Sequence, residues 1–407
     1  ERENMKGIYK VGGCVRDELL NVPINDVDYV AVGYKPEEFT NQGFKLVGKD
    51  FPVFLNNEGE EIALARTERK SGVGYKGFQV NIENVSLKDD LARRDLTINS
   101  IAKIEDEYID YFGGIQDIQN KVLRHTTEAF SEDPLRVLRL ARFYARYEGF
   151  TIASETKELC FSLREELKHL TKERVCLELR KVLKEKRAYL FFECLKDLNV
   201  LDVVFPEIYE MIGCEHNNIY HMEGDVFNHT MLAMKQYQGS DYLVRLGILF
   251  HDAGKKISKD KYGDFHSHYS DEINDLVLEG INERYRFSKE ELRIIRLCIK
   301  YHHFLHKYRE MNVKNIIKKF FERAFPRNEK ELLVLIEVEK ADSCGRLILV
   351  DGVLTEGILF YKDNFKLIDS YKAVKQVKIN PKGLNIETIQ QRLLASRKKA
   401  YLDSIVC

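Results

Sequence analysis

Residues 10–33, KVGGCVRDELLNVPINDVDYVAVG, bring together two adjacent glycines, an Arg-Asp pair and an Asp-x-Asp pair. The apolar runs at either end are short and bounded by glycine or charge, which predicts a strand, a turn into a helix and a second strand. Asp26 and Asp28 lie two positions apart at the start of the second predicted strand, so their carboxylates point to one face. Two such carboxylates repel each other, and a site that keeps both ionised generally supplies a cation such as Mg²⁺.

The paired glycines belong to the same predicted site. Gly12 and Gly13 precede the predicted helix CVRDELL, and Arg16 lies one turn further on. Glycine lets backbone N–H groups approach an anion at the start of a helix. The alternative is a turn that uses glycine for its geometry and aspartate for solvation, and it would be favoured for an Asp-x-Asp pair alone. The combination instead favours a phosphate site with its metal ligands.

Composition limits the class of protein. The chain of 407 residues exceeds the roughly 250–300 residues at which single cores stop growing, so we expect three or four folded units. No run of about 18 apolar residues and no charged-then-apolar leader occurs, which predicts neither a membrane span nor secretion. Eight cysteines without a Cys-x-x-Cys pair indicate reduced thiols and a cytoplasmic protein. With a net charge of −1, a nucleic acid would have to bind local basic patches.

The apolar runs predict an α/β fold for the first third of the chain and an all-α fold for the rest. Short runs such as FPVFLN, EIALAR and GFQVNI lie close together in the first third. From about Glu132 the pattern becomes helical, and helices are expected to continue beyond residue 346. Nine of the eleven histidines lie between residues 216 and 306.

Residues 89–102, DDLARRDLTINSIA, predict further contacts with phosphate. The adjacent Arg93 and Arg94 fit a triphosphate, and Asp95 can accept a hydrogen bond from a ribose hydroxyl. The alternative is a charged turn ahead of a helix.

Residues 132–146, EDPLRVLRLARFYAR, predict a helix with one basic face. Asp133 suits its N-cap and Pro134 its first position. At about 100° per residue, four arginines share roughly a third of the circumference: Arg136, Arg139, Arg142 and Arg146. Like charges at this spacing cost a few tenths of a kcal/mol per pair, and no acid follows Asp133 until Glu148. A row of arginines without counter-charge indicates a polyanion bound to that face.

Residues 65–78, ARTERKSGVGYKGF, are basic, punctuated by glycine and poorly periodic. This pattern predicts a mobile loop, and a surface turn is the alternative.

These motifs, in this order, resemble those of the nucleotidyltransferase superfamily in the version carried by tRNA nucleotidyltransferases (CCA-adding enzymes) and bacterial poly(A) polymerases. The resemblance implies that Asp26 and Asp28 hold two Mg²⁺ ions for nucleotide transfer to an RNA 3′-hydroxyl. It implies that Asp133 and Arg136 act as a protein template for the base of CTP or ATP. The residues implied to hold the nucleotide are Gly13, Arg16, Arg94, Asp95, Arg139 and Arg142. The complete loop at 65–78 implies addition of the full CCA.

A second set of residues has the composition of a metal site. His251 and Asp252 end an apolar helix, His229 lies upstream and Asp342 far downstream. A single histidine there is more often part of a core, but this set of nitrogen and oxygen ligands suits a divalent transition metal. It resembles the HD-domain phosphohydrolases, which implies phosphatase, 2′-nucleotidase or 2′,3′-cyclic phosphodiesterase activity, with Ni²⁺ as one candidate ion. No role is assigned to the remaining histidines of this region, which include His266, His268, His302 and His303.

The sequence therefore predicts a CCA tRNA nucleotidyltransferase with tRNA, CTP and ATP as partners and with no membrane association. The predicted domains are a nucleotidyltransferase head (5–125), a helical neck and body (126–215), an HD domain (216–345) and a helical tail (346–407). Three alternatives stay open: a poly(A) polymerase that uses ATP only, an HD phosphohydrolase with an RNA-binding head, and an RNA-binding protein without catalysis. The sequence leaves both a monomer and a dimer possible.

Overall fold

The computed structural model of the protein describes residues 5–47, 52–70, 78–216 and 221–406. The chain forms two compact units. The first comprises residues 1–175 with 191–204, and the second comprises residues 176–190 with 205–407. The finer division into a head, neck and body, HD domain and tail stays a prediction.

The first unit contains the α/β part of the chain. Its strands are β1 (Gly7–Val11), β2 (Asp28–Val32), β3 (Lys45–Leu46), β4 (Val53–Leu55), β5 (Glu61–Leu64), β6 (Thr67–Lys70), β7 (Phe78–Asn81), β8 (Ile101–Ile104), β9 (Glu107–Asp110), β10 (Val122–Leu123) and β11 (Thr151–Ile152). The helices up to residue 204 are α1 (Gly13–Leu19), α2 (Pro36–Thr40), α3 (Leu87–Ala92), α4 (Gly114–Asn120), α5 (Leu135–Arg146), α6 (Ser154–Ser162), α7 (Arg164–Leu167), α8 (Lys172–Val182), α9 (Tyr189–Asp197) and α10 (Leu201–Val204), with 3₁₀ turns at Thr97–Asn99 and Glu128–Glu132.

Seven strands form one mixed sheet in the order β3-β4-β5-β2-β1-β8-β9. β1 is antiparallel to both β2 and β8, whereas β2 is parallel to β5. Alternate residues of β2 enter different cores, because successive side chains of a strand point to opposite faces. Val30 and Val32 pack with Leu87 and Leu91 of α3, and Ala31 packs with Phe54. The predicted α/β head is confirmed.

The arginine-rich stretch forms α5, as predicted. Its apolar side is buried, with Val137, Leu138 and Leu140 fully inaccessible to solvent. The helix begins at Leu135, so the prediction that Pro134 is its first residue was wrong by one position. Asp133 nevertheless caps the backbone, because its Oδ1 accepts a hydrogen bond from the N–H of Leu135 at 3.1 Å.

The stretch predicted as a loop is partly a strand pair. Residues 67–70 of β6 pair with residues 78–81 of β7 in antiparallel register. Residues 71–77, which contain the rest of that prediction, lie outside the described residues.

The second unit is mainly helical. Its elements are α11 (Pro206–Tyr209), α12 (Val226–Gln236), α13 (Tyr242–Phe250), α14 (Gly254–Tyr262), α15 (Asp271–Arg284), α16 (Lys289–Lys307), α17 (Val313–Phe320), α18 (Glu329–Cys344), β12 (Leu347–Val350), β13 (Val353–Glu356), α19 (Lys366–Gln376) and α20 (Ile386–Val406), with 3₁₀ turns at Tyr308–Glu310 and Gly357–Phe360. α13 packs against α16 and α18 so closely that a Cβ on Gly247 would lie 2.7 Å from Cys298 Sγ and 2.8 Å from Val338 Cγ2. None of the helices in the described part of the chain has the length and apolar character needed to cross a bilayer.

The hairpin β12–β13 interrupts the predicted run of tail helices. Asp351 and Gly352 have φ values of 50° and 79°. Positive φ at both central residues is what a type I′ turn requires, and Asp-Gly is a preferred pair there. Helices do follow beyond residue 346, as α19 and α20, but the hairpin before them was not predicted, although the Asp-Gly pair between two apolar runs was its signal.

Candidate active sites

The first unit contains a cavity of about 490 Å³ whose wall includes seven arginines and three aspartates. We call it the arginine cavity. Nine predicted site residues line it: Gly13, Arg16, Asp28, Arg94, Asp95, Asp133, Arg136, Arg139 and Arg142. Arg146, the fourth arginine of the predicted row, lines it as well. Motifs that lie far apart in the sequence thus meet at one place.

The two predicted metal ligands have different positions. Asp28 is the first residue of β2 and pairs with Val11 of β1. Val11 is the residue immediately before the paired glycines. Asp26 precedes the strand and is not among the lining residues. Both side chains are exposed. The prediction that the strand already includes Asp26 was wrong, because β2 begins only where pairing with β1 begins.

Gly12 turns the chain from β1 into α1. Its φ of 74° lies in the left-handed region, which side chains with a Cβ disfavour. A Cβ at this position would also lie 2.8 Å from Nη1 of Arg94. The positive φ therefore favours glycine at this turn, and a side chain here would also displace the guanidinium of Arg94.

Asp95 joins three of the predicted residues into one network. Its Oδ2 accepts a hydrogen bond from Nε of Arg139 at 2.7 Å, and its Oδ1 accepts one from Nδ2 of Asn99 at 2.9 Å. Arg16 donates to Oδ1 of Asn99 at 2.6 Å. Burial opposes the ionisation of Asp95, but the charges of Arg139 and Arg136 and the bond from Asn99 hold its pKa below the usual value.

This network corrects one premise of the sequence argument. Arg139 does have a counter-charge, which is Asp95, 44 positions away in the sequence. The expectation that both Arg93 and Arg94 bind the triphosphate also needs correction, because only Arg94 lines the cavity. Arg93 bonds Asp90 at 2.7 Å and Glu68 at 3.1 Å instead.

The side chains of the predicted template bond other partners. Both oxygens of Asp133 accept hydrogen bonds from Arg174, at 3.0 and 2.7 Å. Arg136 donates to the backbone carbonyls of Ala129 and Arg93 at 2.5 and 2.6 Å. Arg174 was missed by the sequence analysis, because it lies 41 residues beyond Asp133 in an ordinary amphipathic stretch.

In the second unit, the four residues of the predicted HD set lie together in the interior. His229 Nε2 is 2.9 Å from Asp342 Oδ1 and 3.8 Å from Asp252 Oδ2. His251 Nε2 is 3.3 Å from Asp252 Oδ2 and 3.9 Å from Asp342 Oδ1. All four side chains are at most 3% exposed. The structure therefore brings together residues that are separated by more than 100 positions.

Two of the unassigned histidines extend this group. His302 Nε2 and His268 Nε2 lie 3.6 and 3.9 Å from the other oxygen of Asp252, Oδ1. Their Nδ1 atoms are hydrogen-bonded to the carbonyls of Cys298 and Phe265. The carboxylate of Asp252 is thus shared by two ligand sets, which we call the histidine cluster. His266 and His303 belong to neither set.

The histidine cluster fits divalent cations. Burial is the main cause that lowers the pKa of His268 and His302, so both rings are neutral. A neutral ring that donates through Nδ1 has only a lone pair on Nε2, and here that lone pair faces a carboxylate oxygen, which is also an acceptor. Nε2 of His251, Nε2 of His268 and Oδ1 of Asp252 are buried and lack a hydrogen-bond partner in the described part of the chain. A cation at each of the two ligand sets would give these acceptors a partner.

Residues that contact the candidate metal ligands were not predicted. Glu223 Oε1 lies 2.9 Å from Nδ1 of His229, and Leu347 donates its N–H to the other carboxylate oxygen. Arg346 and His306 contact Asp342 at 3.0 and 2.6 Å. Such partners fix the orientation of a ligand, but they carry no motif of their own in the sequence.

Comparisons with known proteins show which family the chain belongs to. A family model described as "Poly A polymerase head domain" matches residues 8–124, and one described as "Probable RNA and SrmB- binding site of polymerase A" matches residues 149–211. The "Multifunctional CCA protein" of Pasteurella multocida is 41% identical over 354 residues, which cover 83% of this chain and 84% of that protein. The chain belongs to the multifunctional CCA protein family. The predicted resemblance and the predicted enzyme class, a CCA tRNA nucleotidyltransferase, are thereby confirmed.

Other relatives support this family assignment. The "Multifunctional CCA protein" of Mannheimia succiniciproducens is 41% identical over 353 residues, with 83% of this chain and 84% of that protein covered. A solved CCA-adding enzyme in an apo form matches with a TM-score of 0.61 at 22% identity, covering 98% of this chain and 91% of that one. The Thermotoga maritima CCA-adding enzyme complexed with tRNA matches with a TM-score of 0.52 at 23% identity, covering 96% and 91%. At such identities the solved structures show the fold alone.

Proposed function

We propose that the protein adds or rebuilds the 3′-terminal CCA of tRNA from CTP and ATP, and that the arginine cavity is the site of this reaction. The observation that carries this proposal is the convergence of Asp28, the Gly12–Gly13 turn and the arginines of α5 on one cavity. Nε of Arg94 is buried there without a hydrogen-bond partner among the described residues, as expected of a group that binds an anion. Solved relatives of this fold are complexes with ATP, with CTP and with tRNA.

The reaction would be an in-line displacement at the α-phosphate of the nucleotide. The 3′-hydroxyl oxygen of the tRNA bonds to that phosphorus, the bond to the β-phosphate oxygen breaks, and pyrophosphate leaves. Asp26 and Asp28 offer only hard oxygen donors beside the cavity, which fits Mg²⁺. When bound, Mg²⁺ supplies charge neutralisation and activation of the attacking hydroxyl. Arg16, Arg94 and Arg142 would hold the triphosphate, and Gly13 would let its backbone approach it.

Selection between the two nucleotides would rest on Asp133 and Arg136. A carboxylate and a guanidinium together offer acceptors and donors, so a small rotation can match either the cytosine or the adenine edge. Arg174 would fix the carboxylate, and Asp95 would fix Arg139 while accepting a hydrogen bond from ribose. The tRNA would lie along the helical body and tail and be bound by its shape and backbone.

We further propose a metal-dependent phosphohydrolase in the second unit. His229, His251, Asp252 and Asp342 would hold a divalent transition metal, for which the unpartnered buried atoms of the histidine cluster are the support. Ni²⁺ is one candidate. The reaction class would be hydrolysis of a phosphoester, in which a water oxygen bonds to phosphorus and the sugar hydroxyl leaves. Nucleoside 2′-phosphates and 2′,3′-cyclic phosphates are the proposed substrates.

A tRNA transcript without its last three nucleotides tests the first proposal. With Mg²⁺, CTP and ATP, product length on a gel should increase by three nucleotides and require both nucleotides. Addition should be lost in Asp28→Ala and kept in the matched variant Asp252→Ala, which removes a carboxylate from the other site. A long ladder from ATP alone would instead indicate a poly(A) polymerase. RNA binding without any addition would indicate a head that only binds.

A further inference from the structure

A second cavity, of about 340 Å³, borders the histidine cluster within the second unit. Two of its lining residues contact Asp342 directly. His306 Nε2 lies 2.6 Å from Oδ2, and Arg346 Nη2 lies 3.0 Å from both oxygens. Asp342 itself does not line the cavity, so His306 and Arg346 connect the cavity to a carboxylate of the proposed metal site.

Arg346 presents an unused edge at this boundary. Its Nε and Nη2 bond Asp342 and His306, whereas Nη1 forms no hydrogen bond with any described residue. The guanidinium is a planar fork whose second edge can bind a phosphate oxygen. Arg309 and Lys362 also line the cavity and add positive charge.

The cavity wall also contains two acidic residues, Glu339 and Glu310. The carboxylate of Glu339 is already engaged, at 2.9 Å by Ser343 Oγ and at 2.7 Å by Asn364 Nδ2. Glu310 is exposed. Glu339 also lies 3.1 Å from His306. Among the lining cations named above, Arg346 is the one that contacts Asp342, so its second edge is the candidate contact for an anion.

Two buried polar atoms line the same cavity without partners. The hydroxyl of Tyr361 and Oδ1 of Asn364 form no hydrogen bond within the described part of the chain, and Asn364 is only 1% exposed. Unpaired buried groups of this kind are rare in native proteins. An amide oxygen and a phenol hydroxyl are suitable partners for the hydroxyl groups of a sugar.

We propose that this cavity binds the phosphorylated sugar of a nucleotide-sized substrate, with Arg346 on the phosphate and with Asn364 and Tyr361 on sugar hydroxyls. The volume lies near the lower end of the roughly 300–1,000 Å³ of small-molecule sites, which favours a mononucleotide over a longer strand. The inference rests on the proposed hydrolase function, because that function gives the phosphate a reason to lie beside Asp342. Arg346, Asn364 and Tyr361 are thus specificity-determining residues for that reaction.

Photolabelling tests the cavity in the full-length protein without turnover. The probe is 8-azidoadenosine 2′-monophosphate, added to protein from which metal has been removed by chelation. Labelled peptides are mapped by mass spectrometry, so that labelling of peptides around residue 361 is separated from labelling of the head. The variants are Tyr361→Phe, which removes one hydroxyl, and Arg346→Lys, which keeps the charge but removes the second edge. Arg323→Lys is the matched control, because Arg323 is exposed and lines a different cavity.

The dissociation constant from the saturation of this labelling should rise roughly 3- to 10-fold in Tyr361→Phe and by about 10-fold or more in Arg346→Lys. It should not change in Arg323→Lys. After metal is restored, hydrolysis of adenosine 2′-monophosphate by Tyr361→Phe should show the same rise in KM with kcat within about twofold.

Two results would separate this inference from the proposed function. Hydrolysis by the wild type with unchanged labelling and KM in both variants would overturn the cavity and leave the hydrolase standing. Site-specific labelling that is weakened in both variants, without hydrolysis under any divalent metal, would support the cavity and overturn the hydrolase.

Discussion

Arg174→Ala should impair nucleotide addition even though it replaces none of the residues that the sequence motifs indicate. Arg174 donates two hydrogen bonds to Asp133, and the two side chains are 19% and 18% exposed. A charge-assisted hydrogen bond contributes about 1.5–3 kcal/mol, and partial exposure lets water replace some of the loss. We therefore expect a loss of about 1.5–2.5 kcal/mol in transition-state stabilisation, or roughly 10- to 70-fold in kcat/KM.

The assay measures kcat/KM for CTP on tRNA that lacks CCA and for ATP on tRNA that ends in CC. Arg174→Lys should recover only part of the activity, since an ammonium group cannot bind a carboxylate through two parallel bonds. Arg164→Ala is the matched control, because Arg164 pairs with Asp202 in the same unit and does not line the cavity. Unchanged kcat/KM for both nucleotides in Arg174→Ala would refute the idea that Arg174 fixes the template.

Three further predictions concern other parts of the two sites. Gly12→Ala should raise the dissociation constant for CTP by about tenfold or more. The control is Gly43→Ala, because Gly43 has a similar positive φ but open space around it, so this variant should lose only about 1–2 kcal/mol of stability through backbone strain. Equal CTP dissociation constants in both variants would show that the contact with Arg94 is irrelevant. Asp95 has a lowered pKa, so its stabilisation is complete above the unfolded pKa of about 3.9 and is lost as the pH falls from there toward the lower folded pKa. Thermal unfolding between about pH 2 and 4.5 should therefore depend less on pH in Asp95→Asn, and parallel curves would contradict this. Asp252→Asn should lower the bound transition metal measured by elemental analysis and abolish hydrolysis while CCA addition is kept, so full metal content in this variant would exclude Asp252 as a ligand.

Periodicity in the sequence was sufficient to predict the direction of side chains where a motif lies on a single helix or strand. The arginines of α5 face one cavity because a helix places residues three or four apart on one side, and that rule needs no knowledge of the rest of the fold. The same holds for the alternation along β2, which sends Val30 and Val32 to one core and Ala31 to the other.

Contacts between distant segments were not accessible in this way. The pairing of Arg139 with Asp95 joins a helix to the residue after a turn, and the sequence argument accordingly treated the arginine row as lacking counter-charge. Arg174 and Glu223 contact other candidate site residues, and no spacing rule reveals a side chain whose partner does not lie on the same helix or strand. The Asp-Gly turn of β12–β13 was visible in the sequence, but the helical pattern on both sides outweighed it.

The shared carboxylate of Asp252 has a consequence for which substitutions can separate the two ligand sets. Its two oxygens lie nearest to different histidines, so replacing Asp252 would remove a proposed ligand from both sets at once. Replacing His268 or His302 leaves His229, His251, Asp252 and Asp342 complete. Substitutions at His268 or His302 are therefore expected to change metal binding at one set, whereas a substitution at Asp252 is expected to change it at both.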